Sequence, residues 1–159
     1  MGNREIERKF LVKGDFRKEA FKSTRIIQAY LCSVPERTVR VRVYGARGFI
    51  TVKGVADASG ASRFEWEKEI PVDEARLLLD LAEPGVIDKT RYLVKNTDGV
   101  HTWEVDEFYG DNEGLVVAEV ELAGENEPFD RPAWLGDEVT GNPRYFNSML
   151  TKNPYRNWK

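Results

Sequence analysis

The 159-residue sequence is short of the residues that build most covalent and metal-bound scaffolds. Cys32 is the only cysteine, which excludes an intrachain disulfide. His101 is the only histidine, so a metal site of sulfur and imidazole is not expected, and any bound cation should be a hard one held by oxygen. Nothing around His101 suggests a Ser-His-Asp arrangement, and a structural or surface role is expected for it. No apolar run reaches the length of a membrane span. The chain enters its first predicted strand at Asn3, leaving no room for a signal peptide, so a soluble cytoplasmic protein is expected, with no membrane partner. Neither sign of charge dominates: 24 basic residues against 27 acidic ones give a net charge of -3, which argues against a binder of nucleic acid polymers. A Walker-type loop and a G-x-G-x-x-G loop are both missing, so any phosphate site must be built from side chains.

What the sequence does have is mixed charge. Charged residues make up 32%, above the usual quarter, beside 41% hydrophobic residues, enough for a core. No repeat, low-complexity block or linker interrupts the chain, and one domain over 1–159 is expected. Period-2 alternation between turn residues predicts strands at 3–12, 24–33, 37–45, 48–55, 62–70, 86–96, 100–108 and 115–123. Helices are predicted at 15–22, at 72–82 with Asp73 as cap and Leu77, Leu78 and Leu81 as its apolar face, and at 147–151. The tail from Pro132 otherwise reads as irregular. Eight strands with few helices predict a mainly β (α+β) fold, a closed eight-stranded antiparallel barrel wide enough for one small ligand.

Within the strands the polar positions are charged and sorted by sign. "REIERKFLV" sets Glu5, Glu7 and Lys9 on one face; "TVRVRV" sets Arg40 and Arg42; "RFEWEKEI" sets Glu65 and Glu67. Lys53, then Lys89 and Arg91, then Asp106, then Glu119 and Glu121 follow on later strands. One such strand is an ordinary sheet with a wet face. Repeated over seven strands, with like charges two residues apart, the pattern calls for something between them: a divalent cation among carboxylates and a polyanion among cations. Turned inward, these strands wall a lumen suited to Mg²⁺ or Mn²⁺ and a chain of phosphates.

"EIERKFLV", with its E-x-E-x-K, resembles the opening signature of the CYTH superfamily, the triphosphate tunnel metalloenzymes. The resemblance runs through "QAYL", "VRVR", "TVK", "RFEWE", "KTRY", "EVDEF", "EVEL" and "RYFN" and covers nearly the whole chain. It implies a charged eight-stranded tunnel and divalent-metal-dependent chemistry on a linear triphosphate. By matching motif, Glu5, Glu7, Asp106, Glu119 and Glu121 are implied on the metal side. Lys9, Arg40, Arg42, Lys53, Lys89 and Arg91 are implied as triphosphate ligands, and Glu65 and Glu67 have no firm role. "QAYL" and "WLGDEVTGNPRYFN" are most similar to short bacterial members that hydrolyse inorganic triphosphate, in which a Tyr and the signature Lys act on the attacking water; the matching pair is Tyr30 and Lys9. Lys9 orienting water or stabilising charge is the alternative, as is Tyr30 in the core. The tail lacks a lysine that related members carry, a place Arg144 or Lys152 could fill. A homodimer is compatible with the sequence. Competing readings are a class IV-type adenylate cyclase, a nucleoside or thiamine triphosphatase, and a non-catalytic polyphosphate-binding module. Trp66, Trp103, Trp134 and Trp158 read as core or covering residues rather than base-stacking ones.

Overall fold

The structure, a computed structural model, describes residues 4–158. Alternating segments form strands as their period requires: β1 (Arg4–Val12), β2 (Ala20–Val34), β3 (Arg37–Tyr44), β4 (Arg47–Gly54), β5 (Ser62–Ile70), β6 (Ile87–Lys95), β7 (Thr102–Phe108), β8 (Val116–Glu121) and β9 (Leu135–Glu138). Helix α1 (Val72–Leu79) and the single turn α2 (Asn147–Leu150) complete the regular elements. Asn3, the expected first residue of β1, lies outside the described residues.

Neighbouring strands are antiparallel in the order β5-β4-β3-β2-β6-β7-β8-β1, and β1 closes the ring by pairing Arg4, Glu5 and Ile6 with Phe64, Arg63 and Ser62 of β5. The expected closed eight-stranded barrel is therefore present. Further along, β1 exchanges β5 for β9, with Phe10 opposite Glu138 and Val12 opposite Leu135. Without alternation in "LGDE" to mark it, β9 has no sequence signal; it forms because the second half of β1 offers a free edge.

Two predicted helices are corrected. Residues 15–22 form only a 3-10 turn, Arg17–Glu19, before β2 begins at Ala20. A helix this short is marginal by itself, and tertiary contacts outweigh it: Phe16 is buried against Tyr92 and Trp134, while Ala20 pairs with Val94. In α1 the N-cap is Pro71, and Asp73 lies inside the first turn. Its inward face carries Ala75, Leu78 and Leu79 rather than Leu77 and Leu81, which are 68% and 75% exposed. Close contact with β4 sets this rotation. A Cβ placed on Gly48 would lie 2.8 Å from that of Ala75, so glycine lets the helix settle there.

Two of the three apolar clusters lie outside the lumen, as inward charge demands. One cluster, including Phe10, Trp103, Val105 and Val120, packs the outer face of β1, β7 and β8 under the segment bearing Trp134 and Leu135. A second lies beneath α1. The third stoppers one end of the barrel, where Leu150, Tyr145, Tyr155 and Trp158 from the tail meet Ile87, Phe108 and Val117. The tail docks tightly: Gly85 has φ +98°, and an added Cβ would collide with the Thr151 carbonyl oxygen. The other end is open, with the side chains of Glu67 and Glu104 41% and 43% exposed. No helix among the described residues is long and apolar enough to cross a membrane.

Candidate active site

The charged faces turn inward and enclose a cavity of about 420 Å³. Its wall includes Glu5, Glu7 and Lys9 of β1, Tyr30 of β2, Arg40 and Arg42 of β3, Lys53 of β4, Glu65 and Glu67 of β5, Lys89 and Arg91 of β6, and Glu119 and Glu121 of β8. Asp106 lies behind the wall, in contact with Lys89 and Arg91. The structure thus brings together all the candidate residues except Arg144, whose guanidinium stacks on Trp158 at 4.0 Å. Lys152 is exposed and does not line the cavity either.

Cross-strand register explains how the wall tolerates its charge. Signs that are sorted along the strands are interleaved across them: Lys9 faces Glu119, Arg91 faces Asp106, and Lys53 faces Glu65. The deepest pairing is at Asp106. Its carboxylate accepts from Arg91 Nε and Nη2 at 2.8 and 2.9 Å and meets Lys89 Nζ at 2.7 Å. Burial alone would raise the Asp106 carboxyl, but these two cations hold it far below the usual carboxylate range. Burial pulls the Lys89 ammonium down to about 7, against the attraction of Asp106. Arg42 is lowered by burial and by its neighbours Arg40 and Arg91, yet a guanidinium starts so high that it stays charged.

The carboxylates divide into two kinds. Glu5 accepts from Lys53 Nζ at 2.9 Å; burial raises its carboxyl, and Lys53 and Arg63 bring it below its ordinary value. Glu119 is likewise buried, but Lys9 and Arg91 hold it at about 2. Glu7 behaves oppositely. Burial, then Glu119 and Glu5, push it well above its ordinary value. Burial and neighbouring carboxylates also raise Glu65 and Glu121. Register places Glu7 opposite Glu121 and Glu104 opposite Glu119, so one sector of the wall is acidic on three adjoining strands. A divalent cation would relieve this crowding, and the donor chemistry suits a hard, oxygen-seeking ion. Among the described residues, however, no three acidic, histidine or cysteine side chains are already arranged around a metal-sized space. Asp106, expected on the metal side, is engaged by cations.

The cations show unmet donor capacity. Arg40 Nη2 donates to Thr51 Oγ1 at 3.1 Å, while its buried Nε has no partner. Arg42 Nε donates to Gln28 Oε1 at 2.9 Å, and its terminal nitrogens have no protein hydrogen bond among the described residues. Lys9 Nζ donates to the Tyr145 carbonyl at 3.2 Å and lies 3.5 Å from Glu119. Tyr30 is buried on the wall, and no hydrogen bond joins it to Lys9.

Sequence reasoning passed over Gln28 and Asn147. The first had a signal, since it lies two residues before Tyr30 on the same strand face; Asn147 closes the "RYFN" match, but only docking of the tail brings it to the lumen. None of the four tryptophans lines the cavity. His101 sits apart, its ring between Asp98 at 2.8 Å and Glu127 at 2.6 Å, which raises it above its ordinary value.

Residues 3–153 match the sequence pattern of the CYTH domain. An inorganic triphosphatase of Acetivibrio thermocellus is 52% identical over 157 residues, covering 98% of each chain. One from Nitrosomonas europaea is 36% identical over 149 residues, covering 92% of this chain and 95% of that one. The crystal structure of the inorganic triphosphatase NE1496 superposes with a TM-score of 0.67 at 35% identity, over 92% of this chain and 97% of that one. A putative adenylate cyclase from Bacillus halodurans, 16% identical with a TM-score of 0.57 over 77% of this chain and 83% of that one, shares the fold alone.

Proposed function

Because this chain belongs to the CYTH domain family, we propose that its charged lumen is the active site of an inorganic triphosphatase, which hydrolyses tripolyphosphate to pyrophosphate and phosphate. The observation that carries the reading is the set of cations on the lumen wall, Lys9, Arg40, Arg42, Lys53, Lys89 and Arg91, with the terminal nitrogens of Arg42 left without a protein hydrogen bond among the described residues. Such a set matches the oxygens of a linear polyanion, and catalysis of phosphoryl transfer is mostly positioning and charge stabilisation.

The wall residues divide the work. Arg40, Arg42, Lys53, Lys89 and Arg91 bind and orient the phosphates. Asp106 keeps Lys89 and Arg91 in place as their counter-ion, a role its contacts favour over metal ligation. Glu7, Glu119 and Glu121, with Glu5, form the set that would hold Mg²⁺ or Mn²⁺. When bound, such an ion neutralises phosphate charge and favours formation of the attacking hydroxide. Lys9 donates to a carbonyl and pairs with Glu119, so it serves as a cation against developing phosphate charge rather than as a base. Tyr30 offers its hydroxyl to the water or to a phosphate oxygen.

Purified protein given tripolyphosphate, ATP or thiamine triphosphate, with Mg²⁺ or Mn²⁺, should turn over tripolyphosphate preferentially, releasing pyrophosphate and phosphate. Cyclic AMP from ATP would overturn the reading in favour of a cyclase. Tight tripolyphosphate binding without turnover would overturn it in favour of a binding module.

A further inference from the structure

Two neutral amides lie among the lumen cations, and the reaction as described uses neither. Gln28 is fully buried. Its Oε1 accepts from Arg42 Nε at 2.9 Å, and its Nε2 donates to Asn147 Oδ1 at 3.2 Å. The same Asn147 oxygen accepts from Lys89 Nζ at 3.0 Å. Both lone pairs of one carbonyl oxygen are thus filled, and a continuous chain runs from Arg42 through Gln28 and Asn147 to Lys89. Asn147 begins α2, so the chain also ties the tail stopper to β2, β3 and β6.

We infer that Gln28 and Asn147 are positioning residues that aim Arg42 and Lys89 at the bound triphosphate, and that their neutrality sets the affinity of the site. The inference rests on the triphosphatase reading. An ammonium has three N–H bonds in fixed tetrahedral directions. For Lys89, Asp106 and Asn147 take two of them, which fixes the third. For Arg42, Gln28 takes the Nε hydrogen and orients the guanidinium plane, leaving the terminal nitrogens for phosphate oxygens. A carboxylate at either position would accept the same hydrogen bonds but neutralise the cation. Gln28 has the further requirement of an acceptor and a donor on one side chain, which only an amide supplies here.

The test compares Asn147→Ala and Asn147→Asp with the unsubstituted protein. Asn147→Ala removes the geometry; Asn147→Asp keeps the acceptor and adds charge. Tripolyphosphate hydrolysis is measured for KM and kcat, tripolyphosphate binding by calorimetry with metal chelated, and thermal midpoint by melting. Loss of one hydrogen bond to a charged group should raise KM about tenfold for Asn147→Ala, with kcat changed much less. Asn147→Asp should weaken binding further while melting no lower than the unsubstituted protein, because it adds an ion pair with Lys89. A merely structural role would couple affinity to melting and could not give a stable fold with a weakened site. Gln28→Glu supplies an independent arm at the Arg42 end, with the same expected loss of affinity. If Asn147→Asp binds and turns over tripolyphosphate as the unsubstituted protein does, the inference fails while the triphosphatase reading stands. If the unsubstituted protein neither binds nor hydrolyses tripolyphosphate, both fail.

Discussion

Replacing Asp106 with Asn should make the metal-free protein depend on its substrate for stability. The Asp106 carboxylate neutralises two buried cations, Lys89 at 2.7 Å and Arg91 through paired contacts at 2.8 and 2.9 Å. All three side chains are almost fully removed from solvent, at 1%, 8% and 4% for Lys89, Arg91 and Asp106. Removing the carboxylate leaves Lys89 without its ion-pair partner in a poor solvent, which costs about 3–5 kcal/mol, while Arg91 keeps Glu104 at 3.3 Å and Glu119 at 3.6 Å. For a chain of this size each kcal/mol lowers the melting temperature by about 2–4 °C, so the fall should be about 6–20 °C. Tripolyphosphate supplies the missing negative charge next to the same cations. It should therefore raise the melting temperature of Asp106→Asn by more than it raises that of the unsubstituted protein, with metal chelated throughout. Differential scanning fluorimetry against tripolyphosphate concentration measures this directly. An Asp106→Asn variant that melts like the unsubstituted protein would refute the counter-ion role. So would a loss confined to metal affinity, with no change in metal-free stability.

Three further outcomes follow from other parts of the structure. Glu7→Gln should lower metal-dependent tripolyphosphate turnover by about a hundredfold while leaving the melting temperature unchanged or higher, because burial, Glu119 and Glu5 already disfavour charge at Glu7; kinetics at saturating Mg²⁺ and Mn²⁺, beside a melt, test both halves. His101→Gln should destabilise the protein most in mildly acidic solution. The folded-state value of His101 lies above 6.5, so its contribution is fully present below the unfolded value and is lost as pH rises through the folded one; melts from pH 5.5 to 9 should show the two proteins converging. Gly85→Ala should cost about 1–3 kcal/mol and loosen the tail, since the residue has φ +98° and an added Cβ meets Thr151; limited proteolysis should then cut near the C-terminus earlier.

Local pattern carried most of the barrel. Alternation alone located all eight barrel strands to within a few residues, because a strand with one apolar and one charged face has only two ways to lie and the apolar one must be covered. The same alternation put Glu5, Glu7 and Lys9 on one face and so made them wall residues. It failed where the decisive contact is distant. The segment 15–22 has a helical spacing but is claimed by β6 and by the burial of Phe16. In α1 the leucines suggested one face, and a glycine on another element chose a different one. β9 exists only because β1 outruns β5.

The amino-acid sequence by itself determined the eight barrel strands, the sign of charge on each and the oxygen-based chemistry of any metal, because these depend on residue type and period 2. Only tertiary structure decided which charges meet. Strand register, a relation between distant segments, paired Lys9 with Glu119 and Arg91 with Asp106, gathered Glu7, Glu104, Glu119 and Glu121 into one acidic sector, and turned Asp106 toward two cations. Docking of the tail then set Asn147 against Lys89 and Gln28, a contact spanning more than a third of the chain that no local pattern encodes.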